Sequence, residues 1–144
     1  MNEFVWPIRV YYEDTDSGGV VYYANYLKFM ERARTEWLRC LGVEQDDLAV
    51  RVNALFAVRA ADVEFLRPGR FNDLLYVHSR IARRGRASLV FEQHVVRAGD
   101  ELLCAGRIKI ACLDAVAWRP RAIPEEVLNK LNEIAVEEMV DSED

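Results

Sequence analysis

Residues 10–39 read VYYEDTDSGGVVYYANYLKFMERARTEWLR, and the pattern of the chain changes period inside them. The stretch leading in, VWPIRVYYE (5–13), is rich in β-branched and aromatic residues and predicts a strand, with Pro7 placing its start near a sheet edge. TDSGG then supplies the residue types that suit a tight turn. From about Ala24 to Leu41 the period is helical: Tyr26, Phe29, Met30, Ala33, Trp37, Leu38 and Leu41 recur at three- and four-residue steps and make one broad apolar face. Glu31, Arg32, Arg34, Glu36 and Arg39 fall largely on the other face, and Gly42 is a stop signal. At ~1.5 Å per residue such a helix is about 27 Å long, the length of a strand of about eight residues. It can therefore lie along a whole sheet.

Downstream the sequence predicts strands near 54–66, 73–83, 87–97 and 101–114. Their separators, RPGR, RGR and AGD, each hold a glycine where a turn needs one, which reads as a β-meander. Apolar residues fall on both faces in places within 73–97, so one face can pack on the helix and the other on a second subunit. After Pro120 and Pro124 an amphipathic helix, EEVLNKLNEIAVEEM, closes the chain. The expected order is β-α-β-β-β-β-α, an α+β fold with a long helix against one antiparallel sheet.

Composition narrows the class. The 144 residues suit one domain spanning 1–144, and 51% hydrophobic with 30% charged residues describes an ordinary globular chain. No stretch approaches a membrane span, and MNEFVWPIRV lacks the features of a secretory signal. Three scattered cysteines (Cys40, Cys104, Cys112), with no CxxC, suit reduced thiols and a cytoplasmic location. The net charge of −5 is uneven: residues 133–144 carry six acids and no base, so the body is nearly neutral and the acidic tail is expected to fray. A field attractive to nucleic acid is not expected. A basic knot, RIARRGR (80–86), leaves room for a phosphorylated small ligand.

Several chemistries lack their residues. His78 and His94 have no HxxxH or HExxH partner, and the cysteines add no zinc-like spacing, so no metal site is expected. The chain contains no GxSxG elbow, no GxGxxG and no Walker loop. What remains is EDTDSGGVVYYANY (13–26). A helix that starts after a glycine turn presents unpaired N–H groups and the positive end of its dipole, which suits an anion or a carbonyl oxygen that becomes anionic. A carboxylate one turn away, such as Asp16, is the matching nucleophile or general base. The plainer reading is that Asp14 and Asp16 shape the turn and cap the helix.

Taken together, VYYEDTDSGGVVYYANYLKFMERARTEWLR, RPGRFNDLLYV and RGRASLVFEQ resemble the hotdog-fold acyl-CoA thioesterases, nearest to the tol-pal-associated and 4-hydroxybenzoyl-CoA groups. The resemblance runs from about Ile8 to the final strand. It implies a sheet wrapped around one long helix, and hydrolysis of a coenzyme A thioester to a free acid and thiol without a cofactor. It puts the catalytic carboxylate on Asp16, which either attacks the carbonyl or activates water. It puts the carbonyl-polarising N–H on the backbone of Tyr23, with Gly19 allowing close approach. Tyr23 stands where the tol-pal-associated group usually has His, a departure that leaves the backbone role intact.

The resemblance also implies a homodimer or homotetramer with sites between subunits. It makes Arg83, Arg84 and Arg86 a cradle for coenzyme A phosphates, against the alternative of a solvated turn. Ser88 is a candidate for orienting water or substrate, or an ordinary strand serine. Glu31 is a second candidate acid, or an i,i+3 partner of Arg34. Phe29, Phe56 and Phe65 suggest an apolar acyl pocket, and acyl carrier protein is an alternative carrier. The competing functions are a non-catalytic acyl-thioester-binding or scaffold protein and an acyl-thioester hydratase or dehydratase, the latter disfavoured by the missing His.

Overall fold

A computed structural model describes residues 2–134, 136 and 138–139. The chain runs β1 (Phe4–Arg9), a 3-10 turn (Tyr12–Asp14), α1 (Asn25–Cys40), α2 (Gln45–Val52), β2 (Ala54–Phe65), β3 (Leu74–Arg84), β4 (Ser88–Arg97), β5 (Glu101–Asp114), α3 (Glu125–Leu131) and the two-residue β6 (Glu138–Met139). Five strands form one antiparallel sheet in the order β1-β3-β4-β5-β2, and β6 adds to β3 in parallel. The expected α+β architecture, a sheet around a long helix, is what the chain adopts.

Helix α1 buries the face its periodicity predicted. Phe29, Met30, Ala33 and Trp37 are at most 1% exposed. Trp37 stacks on Phe4 of β1 at 5.8 Å between ring centroids and meets Phe91 of β4 edge-on at 5.9 Å. Gly106 of β5 lets the helix approach: a Cβ there would come within 2.9 Å of the Met30 thioether. Arg34, expected on the solvent face, is instead buried. Its Nη1 donates to Gln93 Oε1 at 2.9 Å, and Gln93 Nε2 donates to the Met30 carbonyl and to Ser79 Oγ, each at 2.9 Å. This network ties helix to sheet, because a buried guanidinium and amide must find partners.

Four expectations need correction. The meander holds only for β3-β4-β5; β2 pairs with β5 at the far edge, so RPGR opens a crossover rather than a hairpin. That crossover, 66–73, leaves β2 still bonded to β5 through Leu66 N–H to the Leu103 carbonyl (2.8 Å) and reaches the end of β1 through Asn72 N–H to the Val10 carbonyl (2.9 Å). Residues 45–52, given no element in the expected order, form α2, and the first strand, expected over 5–13, stops at Arg9. The closing helix is shorter than EEVLNKLNEIAVEEM. Of the acidic terminal segment, Ile134 packs in the core and Glu138–Met139 pairs with β3, while residues 135, 137 and 140–144 lie outside the described residues. No helix among the described residues is long and apolar enough to cross a membrane.

Candidate active site

The turn that raised the question of chemistry is a small hairpin between β1 and α1. Tyr22 N–H donates to the Asp14 carbonyl and Asp16 N–H to the Val20 carbonyl, both at 2.9 Å, with Thr15 bridging Val21 between them. Gly19 N–H closes the tip on the Asp16 carbonyl at 3.0 Å. Gly19 has φ of 78°, and a Cβ there would meet nothing within 4 Å, so the glycine serves the backbone bend and leaves open space above it. The Asp16 side chain is exposed, and its Oδ1 accepts from Gly18 N–H at 2.8 Å.

The two acids of the motif separate cleanly. Asp14 is buried and structural: its Oδ2 accepts from Tyr11 N–H at 2.8 Å, and its carbonyl accepts from Asn25 Nδ2 at 2.8 Å. Neither aspartate caps α1. The residue before the helix, Ala24, is already helical (φ −66°, ψ −21°), and no side chain caps the end. The N–H groups of Tyr23 and Ala24 have no acceptor among the described residues. A helix start left open in this way presents donors and positive dipole to an incoming oxygen.

A crossover contact holds the hairpin in place. Gly69 N–H donates to the Tyr26 hydroxyl at 2.9 Å, and Val21 N–H donates to the Gly69 carbonyl at 2.8 Å. A Cβ on Gly69 would sit 3.1 Å from Val21 Cγ2 and 3.2 Å from the Tyr26 oxygen, so the approach needs glycine. Burial pushes the Tyr26 phenol above its ordinary pKa, keeping it protonated. Around this point Tyr23 meets Phe65 edge-on at 5.7 Å, and Tyr22 lies 4.9 Å from Tyr23. Sequence reasoning missed Gly69, Asn25 and Tyr26 as supports of the site. The glycine in RPGR was the available signal, read as a turn.

The other predicted residues lie elsewhere. Glu31 is exposed and accepts from Thr35 Oγ1 at 2.7 Å, so its hydrogen-bond partner is the residue at i+4 rather than Arg34. With Arg34, Thr35 and Gln45 it faces Phe56 and Val58 of β2 across a groove at the sheet edge. Of the three phenylalanines expected at an acyl pocket, Phe56 lines this groove and Phe65 flanks Tyr23, whereas Phe29 is wholly in the core. Arg83, Arg84, Arg86 and the buried Ser88 gather at the far end of β3 and β4. At ~3.3 Å per residue, that end is about 33 Å along β3 from the Asp16 hairpin. Arg84 Nη1 donates to Asn132 Oδ1 at 2.9 Å, and Arg83 pairs through its backbone with Glu138. Within one chain these residues do not meet Asp16. Among the described residues no group of three or more His, Cys, Asp or Glu side chains could hold a metal ion.

A long helix cradled by a single antiparallel sheet is the hotdog architecture. The family model described as "Thioesterase superfamily" matches residues 18–104, and the chain belongs to that superfamily. It is 43% identical over 125 residues to the acyl-CoA thioester hydrolase YbgC of Escherichia coli O157:H7, covering 87% of this chain and 92% of that protein. It is 41% identical to the acyl-CoA thioesterase YbgC of Haemophilus influenzae, covering 88% and 92%. Among solved structures it resembles a probable thioesterase from Bartonella henselae (TM-score 0.80, 36% identity, 85% of this chain and 99% of that one). The fold also matches Slr0204, a 1,4-dihydroxy-2-naphthoyl-CoA thioesterase from Synechocystis (TM-score 0.84, 20% identity, 91% and 96%). The family and fold expected from the sequence are both met.

Proposed function

We propose that this protein hydrolyses acyl-CoA thioesters, with Asp16 as the reactive carboxylate and the backbone N–H of Tyr23 polarising the carbonyl. The observation that supports the reading is an open helix start and an exposed acid on the turn leading into it: the N–H groups of Tyr23 and Ala24 lack acceptors among the described residues, and Asp16, whose N–H donates to the Val20 carbonyl, lies on the hairpin that precedes that helix. In the reaction, carbon–sulfur cleavage releases the coenzyme A thiol, and water supplies the oxygen and proton that complete acid and thiol. Asp16 either forms a transient anhydride with the acyl carbon or draws a proton from the attacking water. In both routes negative charge grows on the carbonyl oxygen, where fixed N–H donors act most strongly. Gly19 leaves room for the thioester above the hairpin.

The complete site in this reading needs a second copy of the chain. Arg83, Arg84, Arg86 and Ser88 can act on a substrate held at Asp16 only if they come from a partner subunit, as the resemblance implies for a homodimer or homotetramer. A cytoplasmic location accords with three free cysteines, one of them exposed.

The test is thiol release from a panel of acyl-CoAs, acetyl to palmitoyl and aromatic, by wild type and Asp16→Asn. We expect kcat of the variant to fall by about 10²–10⁴-fold, the range typical of a positioned acid or base, with the fold intact. Full activity in the variant would make Asp16 a turn residue and move attention to Glu31. Binding of acyl-CoA by wild type without product would favour the acyl-thioester-binding reading.

A further inference from the structure

Tyr12 and Phe71 are 75% and 43% exposed, yet their rings stack at 3.8 Å between centroids and 6° between planes. They come from separate segments, the 3-10 turn after β1 and the crossover before β3. Backbone bonds hold those segments together: Val10 N–H to the Asp73 carbonyl and Asn72 N–H to the Val10 carbonyl, each 2.9 Å. The shelf is therefore built before any ligand arrives. Arg9 lines the same open cleft and donates from Nη1 to the Asn72 carbonyl at 2.8 Å.

Charge distinguishes this cleft from its surroundings. Arg9, which lines the cleft, and the exposed Arg70, the residue before Phe71 and outside the cleft lining, have no carboxylate partner among the described residues. The nearby Arg67 and Arg97 are held by Glu101 and Asp73. Glu13 also lines the cleft, and its carboxylate can accept from an exocyclic amine. The outer face of this stacked pair, beside guanidinium groups that no carboxylate neutralises, suits a flat base carrying phosphates.

We propose that the Tyr12–Phe71 shelf, with Arg9 and Arg70, binds the adenine nucleotide end of a coenzyme A thioester; this rests on the acyl-CoA reading above. Tyr12 precedes Asp16 by only four residues, so shelf and acid lie on one connected segment, and in this proposal the pantetheine arm runs between them.

The test compares one acyl group on coenzyme A and on pantetheine, which lacks the nucleotide, for wild type, Tyr12→Ala, and the Arg9→Ala/Arg70→Ala double variant. The readout is the ratio of kcat/KM for the two substrates, which cancels any general disturbance of the loop. Loss of a stacked base corresponds to roughly a five- to hundredfold fall in that ratio, carried by KM for the coenzyme A ester. An unchanged ratio in both variants overturns the proposal. So does a fall produced by Arg83→Ala/Arg84→Ala and not by the shelf variants. Titration with adenosine 3′,5′-bisphosphate separates this from the catalytic reading. Binding by wild type that the shelf variants lose supports the shelf even if no thioester is hydrolysed.

Discussion

The hydroxyl of Tyr26 shows how much of the site depends on one atom. It accepts the Gly69 N–H at 2.9 Å in a buried setting, and that contact fixes the crossover against the hairpin bearing Asp16. Tyr26→Phe keeps the ring and removes the acceptor, leaving a buried N–H unpaired at a cost of about 1–3 kcal/mol. We expect urea unfolding to show that loss, and kcat to fall with it because the hairpin loses its brace. Gly69→Ala, which keeps the hydroxyl but crowds it, should lower stability by about 1–3 kcal/mol through overpacking. Tyr26 was legible as part of the helical apolar face, and Asp16 as an acid beside a glycine turn. The bond between Tyr26 and Gly69 was not, because it joins residues 43 apart in the chain. Local pattern carries no information about such a pairing.

Among the elements, α1 was readable to within a residue or two because its period extends over four turns. α2 was missed because only Leu48 is buried in it, so it shows almost no apolar stripe. Its acids in the first turn, Asp46 and Asp47, with Arg51 in the last, were the signal available. The strands were found as segments, but the place of β2 depends on pairing with β5 rather than its neighbour in sequence, which a turn residue cannot announce. Arg34 was misplaced for a related reason: helical phase put it near the boundary, and Gln93 on β4 drew it inside. Gln93→Leu strands that guanidinium and should cost about 1.5–3 kcal/mol, the worth of a hydrogen bond to a charged group. Adding Arg34→Met should recover much of the loss, and denaturant unfolding of the single and double variants tests this. Strand β5 makes a separate prediction through its cysteines. Burial pushes the Cys104 thiol up to about 12 and Cys112 up to about 11, against an ordinary value of 9.0. A raised folded-state pKa means stability is intact below pH 9 and declines between pH 9 and 11–12, the window in which unfolded thiols are ionised and folded ones are not. We expect a thiol reagent at pH 8 to modify one cysteine per native chain, the exposed Cys40, and all three after unfolding.

For the whole molecule, the unresolved demand is the outer edge of β2. The sheet ends there, and among the described residues the strand's other edge has no partner along its twelve residues. Val58 and Phe65 stand 55% and 48% exposed on it, while Arg59, Asp62 and Glu64 supply its charges without a lysine. A long edge with exposed apolar side chains invites another strand, and a second copy of the same edge can pair with it antiparallel about a two-fold axis. That placement would put the partner's surface beside Phe65, and Phe65 touches Tyr23. Assembly and activity are then one property. Sequence reading anticipated strands with two apolar faces but had no means of deciding which edge stayed open. Val58→Lys places a charge on that edge at a site already half exposed, so the folded chain should tolerate it, with a stability change within about 0.5 kcal/mol. If β2 is the subunit contact, sedimentation of the variant should shift toward the monomer, and its thioesterase activity per chain should rise with protein concentration. A variant that sediments as wild type and keeps full activity would assign the open edge another purpose and leave each chain's site complete without its neighbour.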